Sequence, residues 1–190
     1  MTINHKRIGV AIFNGITLGL LLASIASKNW LVNDSFKGGK SGIWQTCNHI
    51  CLRLISLCPY ICDTYAINQL DAKSNAIRAF ACIAMLSTTV GLVIAAVRIY
   101  KELKGKMAAG CFLCAGICMV ISLSIYAAQA NDGKITGNLH HDLLISYVTI
   151  GYKRPGFSYG WSYILGWISS IFCFVAMVFN YKCSKSNGEE

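Results

Sequence analysis

Cysteine is the residue type whose number and spacing could support chemistry in this chain, because ten cysteines occur among 190 residues. Cys111 and Cys114 form a Cys-x-x-Cys pair, a spacing used by thiol oxidoreductases and zinc sites. Four more cysteines cluster between residues 28 and 78, and they are Cys47, Cys51, Cys58 and Cys62. Disulfide formation, metal binding and thiol redox catalysis are therefore the chemistries to weigh, and the choice depends on where the chain places each thiol.

Long stretches without charge decide where these thiols lie. The chain is 55% hydrophobic and 13% charged, whereas soluble domains contain roughly 25% charged residues. Charge-free gaps mark four predicted membrane spans, at about 8–27, 79–97, 107–130 and 157–181. Each approaches or exceeds the roughly 20 residues that a helix needs to cross about 30 Å of hydrocarbon. The composition excludes a disordered regulator, argues against a soluble enzyme, and predicts a single tetraspan membrane domain over residues 1–190.

The basic residues set the predicted orientation of the spans. Of the 17 basic residues, 8 lie in short segments of 25 residues in all, which are 1–7, 98–106 and 182–190. The other 9 are spread over the 76 residues of two longer segments, 28–78 and 132–156. Because cytoplasmic loops carry the excess of Lys and Arg, both termini are predicted to be cytoplasmic, in a multi-pass membrane protein. The net charge of +9 forms no single stripe, so no nucleic-acid partner is predicted.

The four loop cysteines are predicted to lie on the oxidising side of the membrane, which favours one or two disulfides among them. A metal site is the alternative, but the gaps of three, six and three residues contain no paired Cys-x-x-Cys units. No metal ligand and no cofactor are therefore predicted. Spacing alone leaves all three full pairings of the four cysteines open.

The Cys-x-x-Cys pair falls on the other side of the membrane. Cys111 and Cys114 lie at the predicted cytoplasmic start of the third span. Membrane thiol oxidoreductases of the vitamin K epoxide reductase type also combine four spans with this motif, but their redox pair must meet the oxidising side. We therefore interpret the two cysteines as small packing residues. No enzymatic activity, catalytic residue or small-molecule substrate is predicted.

Small residues recur every four positions within each predicted span. Ser162, Gly166 and Ser170 form such a stripe in the fourth span, and Gly15 and Gly19 belong to one in the first. Small side chains let helices approach closely where lipid supplies no hydrophobic drive. The stripes predict tight packing of helices within one chain, and the alternative is a seam between two copies of the protein.

A set of tryptophan, glycine and cysteine residues resembles a known signature. Trp30, the run Gly42–Ile43–Trp44, and Cys47 followed by a later cysteine are similar to the W–GLW–C–C signature of the claudin superfamily. Arg78, at the start of the second span, also resembles that family's pattern. The run 157–167, FSYGWSYILGW, is most similar to the branch containing peripheral myelin protein, the epithelial membrane proteins and the lens fibre membrane intrinsic protein.

The resemblance implies an all-α membrane fold, namely a four-transmembrane-helix bundle with an extracellular β-sheet. The first outside loop would form most of the sheet, and residues 143–150 of the second loop are a candidate added strand. The resemblance also implies that Cys47 pairs with Cys51, as in the epithelial membrane branch, or with Cys58, as in claudins. Cys62 would then take the remaining cysteine. The signature residues expected to be structural are Trp30, Gly42, Ile43, Trp44 and Arg78.

The same resemblance implies a function. The protein is expected to be non-enzymatic and to act in cell–cell contact, at junctions or in membrane organisation. Its expected partners are membrane lipids, together with further copies of itself or other membrane proteins at cell contacts. Two alternatives are left open: a claudin-like component of a paracellular barrier or channel, and an auxiliary subunit of an ion channel.

Two residues are candidates for covalent modification. Asn33 begins an Asn-Asp-Ser glycosylation sequon on the predicted outer face, although it lies only six residues beyond Ser27 at the end of the first span. Cys183 follows the fourth span on the predicted cytoplasmic side, a position suited to palmitoylation, with a free thiol as the alternative.

Overall fold

The computed structural model describes residues 5–33, 39–49, 60–64, 72–100, 105–131 and 157–185. Its helices are α1 (His5–Ala26), α2 (Ala72–Tyr100), α3 (Gly105–Asn131) and α4 (Trp161–Lys185). Its strands are β1 (Leu31–Asn33), β2 (Gly39–Ser41), β3 (Gln45–His49), β4 (Tyr60–Thr64) and β5 (Phe157–Tyr159). Within these ranges, four helices are long and apolar enough to cross a membrane. The predicted combination of a four-helix membrane bundle with a small β-sheet is confirmed.

The helices form where the chain lacks charge, because a backbone in lipid must satisfy its own hydrogen bonds. Each helix extends past at least one end of its predicted span, and α2, for example, begins at Ala72 rather than at 79. α1 packs against α2 and α4, and α3 packs against the same two helices, so the four close into a ring. Large apolar side chains such as Ile12, Leu86 and Ile171 are exposed on its outside, as expected of a surface that faces lipid.

The sheet has the strand order β4-β3-β2-β1-β5, and all neighbouring strands are antiparallel. β1 is paired on both sides, with Leu31 opposite Ser41 of β2 and opposite Tyr159 of β5. Strands β1 to β4 come from the chain between α1 and α2, and β5 immediately precedes α4. The chain between α1 and α2 and the chain between α3 and α4 therefore both contribute to one sheet at one end of the bundle.

The start of the fourth predicted span is a strand rather than a helix. The charge-free gap predicts a helix from 157, but residues Phe157–Tyr159 form β5 and α4 begins at Trp161. A short apolar run fits a strand as well as a helix, and here it pairs with β1. Gly160 allows the change of direction, because a Cβ atom there would collide with the Asn29 carbonyl. The strand predicted at 143–150 lies outside the described residues.

Gly166 marks one of the places where the helices approach closely. A Cβ atom on Gly166 would lie 2.9 Å from Leu123 Cδ2 and 3.0 Å from Ser24 Oγ. α4 is therefore in close contact with α3 and with α1 at this point. The stripe in the first span behaves differently, because nothing lies within 4 Å of a Cβ atom placed on Gly15 or Gly19. That face of α1 points away from the described part of the bundle.

Candidate functional site at the sheet–bundle junction

Trp30 lies at the centre of the contact between the sheet and the helices. Its side chain is fully buried, and its indole Nε1 donates a hydrogen bond of 2.7 Å to the Ser24 carbonyl of α1. Its amide donates to the Ser41 carbonyl of β2. Its ring packs edge-on against Tyr126 of α3 and Tyr163 of α4, at centroid distances of 4.9 and 6.0 Å. One residue thus connects the sheet to three helices.

Arg78 connects the sheet to the fourth helix, α2. Its guanidinium is buried, and Nε donates a hydrogen bond of 2.7 Å to the Ile43 carbonyl. The guanidinium carbon lies 5.2 Å from the centroid of the Trp44 ring, within the range of a cation–π interaction. Burying a charge is unfavourable unless it gains hydrogen bonds or an opposite charge. The carbonyl and the ring therefore contribute to stabilising the cation, and they hold the turn between β2 and β3 on α2.

Gly42 is required because that turn lies directly against the end of α1. A Cβ atom on Gly42 would be 2.6 Å from the Ser27 carbonyl oxygen and 2.8 Å from Lys28 Cα. No side chain fits such a gap without moving the backbone. The Gly42 amide also donates to the Gln45 carbonyl at 2.9 Å, which closes the turn. The glycine of the signature therefore serves a backbone contact between the sheet and α1.

Serine hydroxyls join the start of α4 to the end of α1. Ser24 Oγ donates to the Ser162 carbonyl at 2.9 Å, and Ser162 Oγ donates to Ser27 Oγ at 2.8 Å. The Gly160 amide donates to the Trp30 carbonyl at 2.9 Å. Ser24 and Ser162 are fully buried, so each bond avoids an unsatisfied group that would cost about 1–3 kcal/mol.

Tyrosines extend the junction towards the β5 edge of the sheet. Tyr163 stacks on Tyr159 with centroids 4.5 Å apart, and its ring lies 6.1 Å from that of Tyr126. Burial, and then the neighbouring Tyr163 hydroxyl, raise the pKa of Tyr159 above its ordinary value. The Tyr159 ring is 41% exposed, and together with Tyr163 it forms a packing surface at this edge of the sheet.

A disulfide joins Cys47 in β3 to Cys62 in β4. The antiparallel register places these two residues directly opposite each other, and Cys47 is fully buried. This pairing corrects the one implied by the resemblance, in which Cys47 bonds to Cys51 or Cys58. The reason is the strand register, which brings residues 15 apart in sequence together. Cys51 and Cys58 themselves lie outside the described residues.

The remaining candidate residues lie away from the junction. Asn33 ends β1, and the other two sequon positions fall outside the described ranges. Cys183 is a half-buried free thiol near the end of α4 that lies opposite the sheet. Cys111 and Cys114 are free thiols within α3, where Ser87 Oγ donates to Cys114 Sγ at 3.7 Å. Glycosylation of Asn33 and palmitoylation of Cys183 stay predictions.

The junction is built to hold the sheet in place. The buried side chains of Trp30, Ser24 and Arg78 each donate a hydrogen bond to a backbone carbonyl. In the part of the chain that the structure describes, no group of three or more His, Cys, Asp or Glu residues could hold a metal ion. What the arrangement does chemically is to satisfy buried polar groups across the boundary between sheet and bundle.

Sequence reasoning did not identify Ser24 and Tyr163 as members of this junction. The available signals were the four-residue recurrence of small residues, which includes Ser162, and the aromatic run 157–167. Neither signal reveals that the Ser24 carbonyl accepts a hydrogen bond from the Trp30 indole, because that contact depends on how α1 ends.

The fold and the junction together define a multi-pass membrane protein with a small, disulfide-linked sheet attached to one end of a four-helix bundle. A profile of the PMP-22/EMP/MP20/Claudin family matches residues 7–180, and the chain belongs to this family. Its relatives include epithelial membrane protein 1 from Homo sapiens and from Pongo abelii. Each is 22% identical over 170 residues, which cover 88% of this chain and 89% of the relative. The resemblance drawn from the tryptophan, glycine and cysteine signature is confirmed.

Proposed function

We propose that the protein is a non-enzymatic component of the plasma membrane that acts in cell–cell contact, at junctions or in membrane organisation. The junction carries this proposal, because Trp30 and Arg78 hold the sheet on the bundle by buried hydrogen bonds of 2.7 Å each. A surface that is already ordered loses little conformational freedom when it binds, and such preorganisation favours association. Membership of the PMP-22/EMP/MP20/Claudin family supports the same role.

The proposed orientation has the sheet outside the cell and both termini in the cytoplasm. The excess of basic residues in the short segments supports it. The Cys47–Cys62 disulfide supports it as well, because disulfides persist on the oxidising side of the membrane. Trp161 is 55% exposed at the start of α4, a position suited to the membrane–water boundary.

A mixed culture of contact-forming cells tests the proposal. Two populations express the full chain with different fluorescent tags at the C-terminus, and a third population expresses neither. Contact between copies predicts enrichment at borders between two expressing cells, relative to borders with non-expressing cells. Cys62→Ser removes the bond that holds β3 to β4 and should reduce the enrichment among molecules that reach the surface. Cys82→Ser, which removes a free thiol of α2, is the matched control.

Cross-linking and affinity capture from the same membranes distinguish the alternatives. Recovery of the other tag and of junction proteins agrees with the proposal. Recovery of mainly the pore-forming subunit of an ion channel would replace it with an auxiliary role. A change in paracellular resistance without enrichment of the chain's own copies would favour a barrier or channel role instead.

A further inference from the structure

A pair of arginines lies at the end of the bundle opposite the sheet. Arg7 is in the first turn of α1 and Arg98 is in the last turn of α2. Together with Asn180 and Cys183 of α4 they line a small cavity of about 10 Å³, which is room for roughly one water-sized atom. Arg98 is only 5% exposed. The ends of three helices therefore meet around two cationic side chains.

The positive charge of this cluster is not balanced within the described part of the chain. Asp63 is the one carboxylate in the described ranges, and it lies in the sheet. Arg7 Nη1 donates to the Arg98 carbonyl at 3.0 Å, while Arg7 Nε is buried without a partner in those ranges. The Arg98 guanidinium makes no hydrogen bond to a described residue. The end of α2 supplies roughly half a negative charge, which is less than two guanidinium groups require.

The position of the two arginines indicates where the missing negative charge comes from. The charge-free run 8–27 begins directly after Arg7, and the run 79–97 ends directly before Arg98. Both side chains therefore start at the boundary of the hydrocarbon, where lipid headgroups lie. Basic pockets between helix ends bind anionic headgroups, and a guanidinium matches the geometry of a phosphate. We propose that Arg7 and Arg98 form a binding site for the phosphate group of an anionic lipid.

The size of the cavity limits how the phosphate would bind. The cavity admits about one oxygen atom rather than a whole phosphate. The group would therefore lie at the mouth with one oxygen inside, where arginine N–H groups can donate to it. Asn180 contributes shape rather than a donor, because its amide nitrogen already donates to Asn14 Oδ1 and to the Ala176 carbonyl.

Binding to the purified full chain in a neutral detergent tests this assignment. The probes are dioctanoyl phosphatidic acid, dioctanoylglycerol, which is the same lipid without its phosphate, and inorganic phosphate. Phosphatidic acid should raise the midpoint of thermal unfolding in a saturable way, and the other two should not at equal concentration. Saturation by inorganic phosphate at the same concentration would identify a soluble phosphate as the ligand and overturn the lipid assignment. An equal effect of dioctanoylglycerol would show that the acyl chains alone bind.

Substitutions locate the site. Arg7→Gln and Arg98→Gln should each raise the Kd for phosphatidic acid about tenfold or more, the usual effect of removing a charge-assisted hydrogen bond. Lys182→Gln is the control, because it changes an exposed cation near the same end of α4. It should raise the Kd by about fivefold or less. Equal weakening by all three substitutions would show nonspecific attraction to positive charge and would refute the site. Arg98→Lys keeps the charge and should retain part of the affinity.

Glu102 is the carboxylate nearest to Arg98 in the sequence, four positions later, and it lies outside the described residues. If Glu102 were the partner of Arg98, Glu102→Gln would lower the unfolding midpoint of the lipid-free protein as much as Arg98→Gln does, and the proposal would be wrong.

A measurement on the unsubstituted protein avoids any loss of folding. Because Cys183 lines the same cavity, phosphatidic acid should slow its labelling by maleimide several-fold, measured on the Cys183 peptide by mass spectrometry. An unchanged rate at saturating lipid also contradicts the site.

Discussion

Gly166 provides a direct test of how the helices pack. A Cβ atom there would lie 2.9 Å from Leu123 Cδ2 and 3.0 Å from Ser24 Oγ, closer than side chains normally approach. Gly166→Leu puts an isobutyl group into this gap between α4, α3 and α1. Extra carbon atoms in a packed interior typically cost about 1–3 kcal/mol. We expect the upper part of that range, because Ser24 Oγ already donates to the Ser162 carbonyl and is not free to move aside.

The matched control is Gly19→Leu. Nothing lies within 4 Å of a Cβ atom on Gly19, so the same side chain projects outward from α1. Replacing glycine in a helix interior also improves helix propensity, by up to about 1 kcal/mol. This gain is common to both sites, so the difference between the two variants isolates the packing cost. Gly166→Ala should be intermediate, because Leu123 Cδ2 is the end of a side chain that can rotate.

The assay is the fraction of each variant that reaches the cell surface, measured by surface biotinylation, together with the unfolding midpoint of the purified protein. We expect Gly19→Leu to equal or slightly exceed wild type, Gly166→Ala to be lower and Gly166→Leu to be lowest. If Gly166→Leu reached the surface and unfolded at the same temperature as Gly19→Leu, the close approach of α4 to α1 and α3 would be refuted. The four-span topology would be unaffected.

Three further predictions concern the sheet and the orientation. Cys47→Ser and Cys62→Ser should each cost about 2–5 kcal/mol and lower the fraction of the protein that reaches the cell surface, and the double variant should be no worse than either; normal surface delivery would show that the bond is dispensable. Arg78→Gln should lower stability by about 1.5–3 kcal/mol through loss of the charged donor to the Ile43 carbonyl, measured as a thermal shift, and an unchanged midpoint would contradict that role. Tags at the N-terminus, within 98–106 and at the C-terminus should be accessible to antibody only after permeabilisation; an accessible C-terminal tag on intact cells would reverse the orientation.

The helices and the signature residues were predictable because each follows from local chemistry. A charge near the bilayer centre is costly, so the gap between Arg78 and Arg98 is enough to indicate a span. The tryptophan and glycine of the signature were expected to be structural. The structure gives the reason for each, since Trp30 is fully buried and a side chain on Gly42 would collide with the end of α1.

The disulfide mate could not be predicted in the same way. Cys51 and Cys58 are both nearer to Cys47 in sequence than Cys62 is. The observed pair depends on β3 and β4 being antiparallel neighbours in one register. Moving the register by one residue would turn Cys62 to the other face of the sheet. The β5 strand could not be predicted for the same reason, because its pairing with β1 is a tertiary contact.

Two arginines of α2 show that burial alone does not identify a binding site, because the partners of each side chain must also be known. Arg78 and Arg98 are buried to a similar degree, 8% and 5% exposed, and stand about 30 Å apart along the helix at 1.5 Å per residue. The Ile43 carbonyl and the Trp44 ring both contact the Arg78 guanidinium. The described residues offer Arg98 no such partner. A buried cation requires compensation wherever it lies. Arg78 finds it in the contacts that hold the sheet to the bundle. Arg98, at the opposite end of the same helix, finds it by binding a negatively charged group from outside the fold.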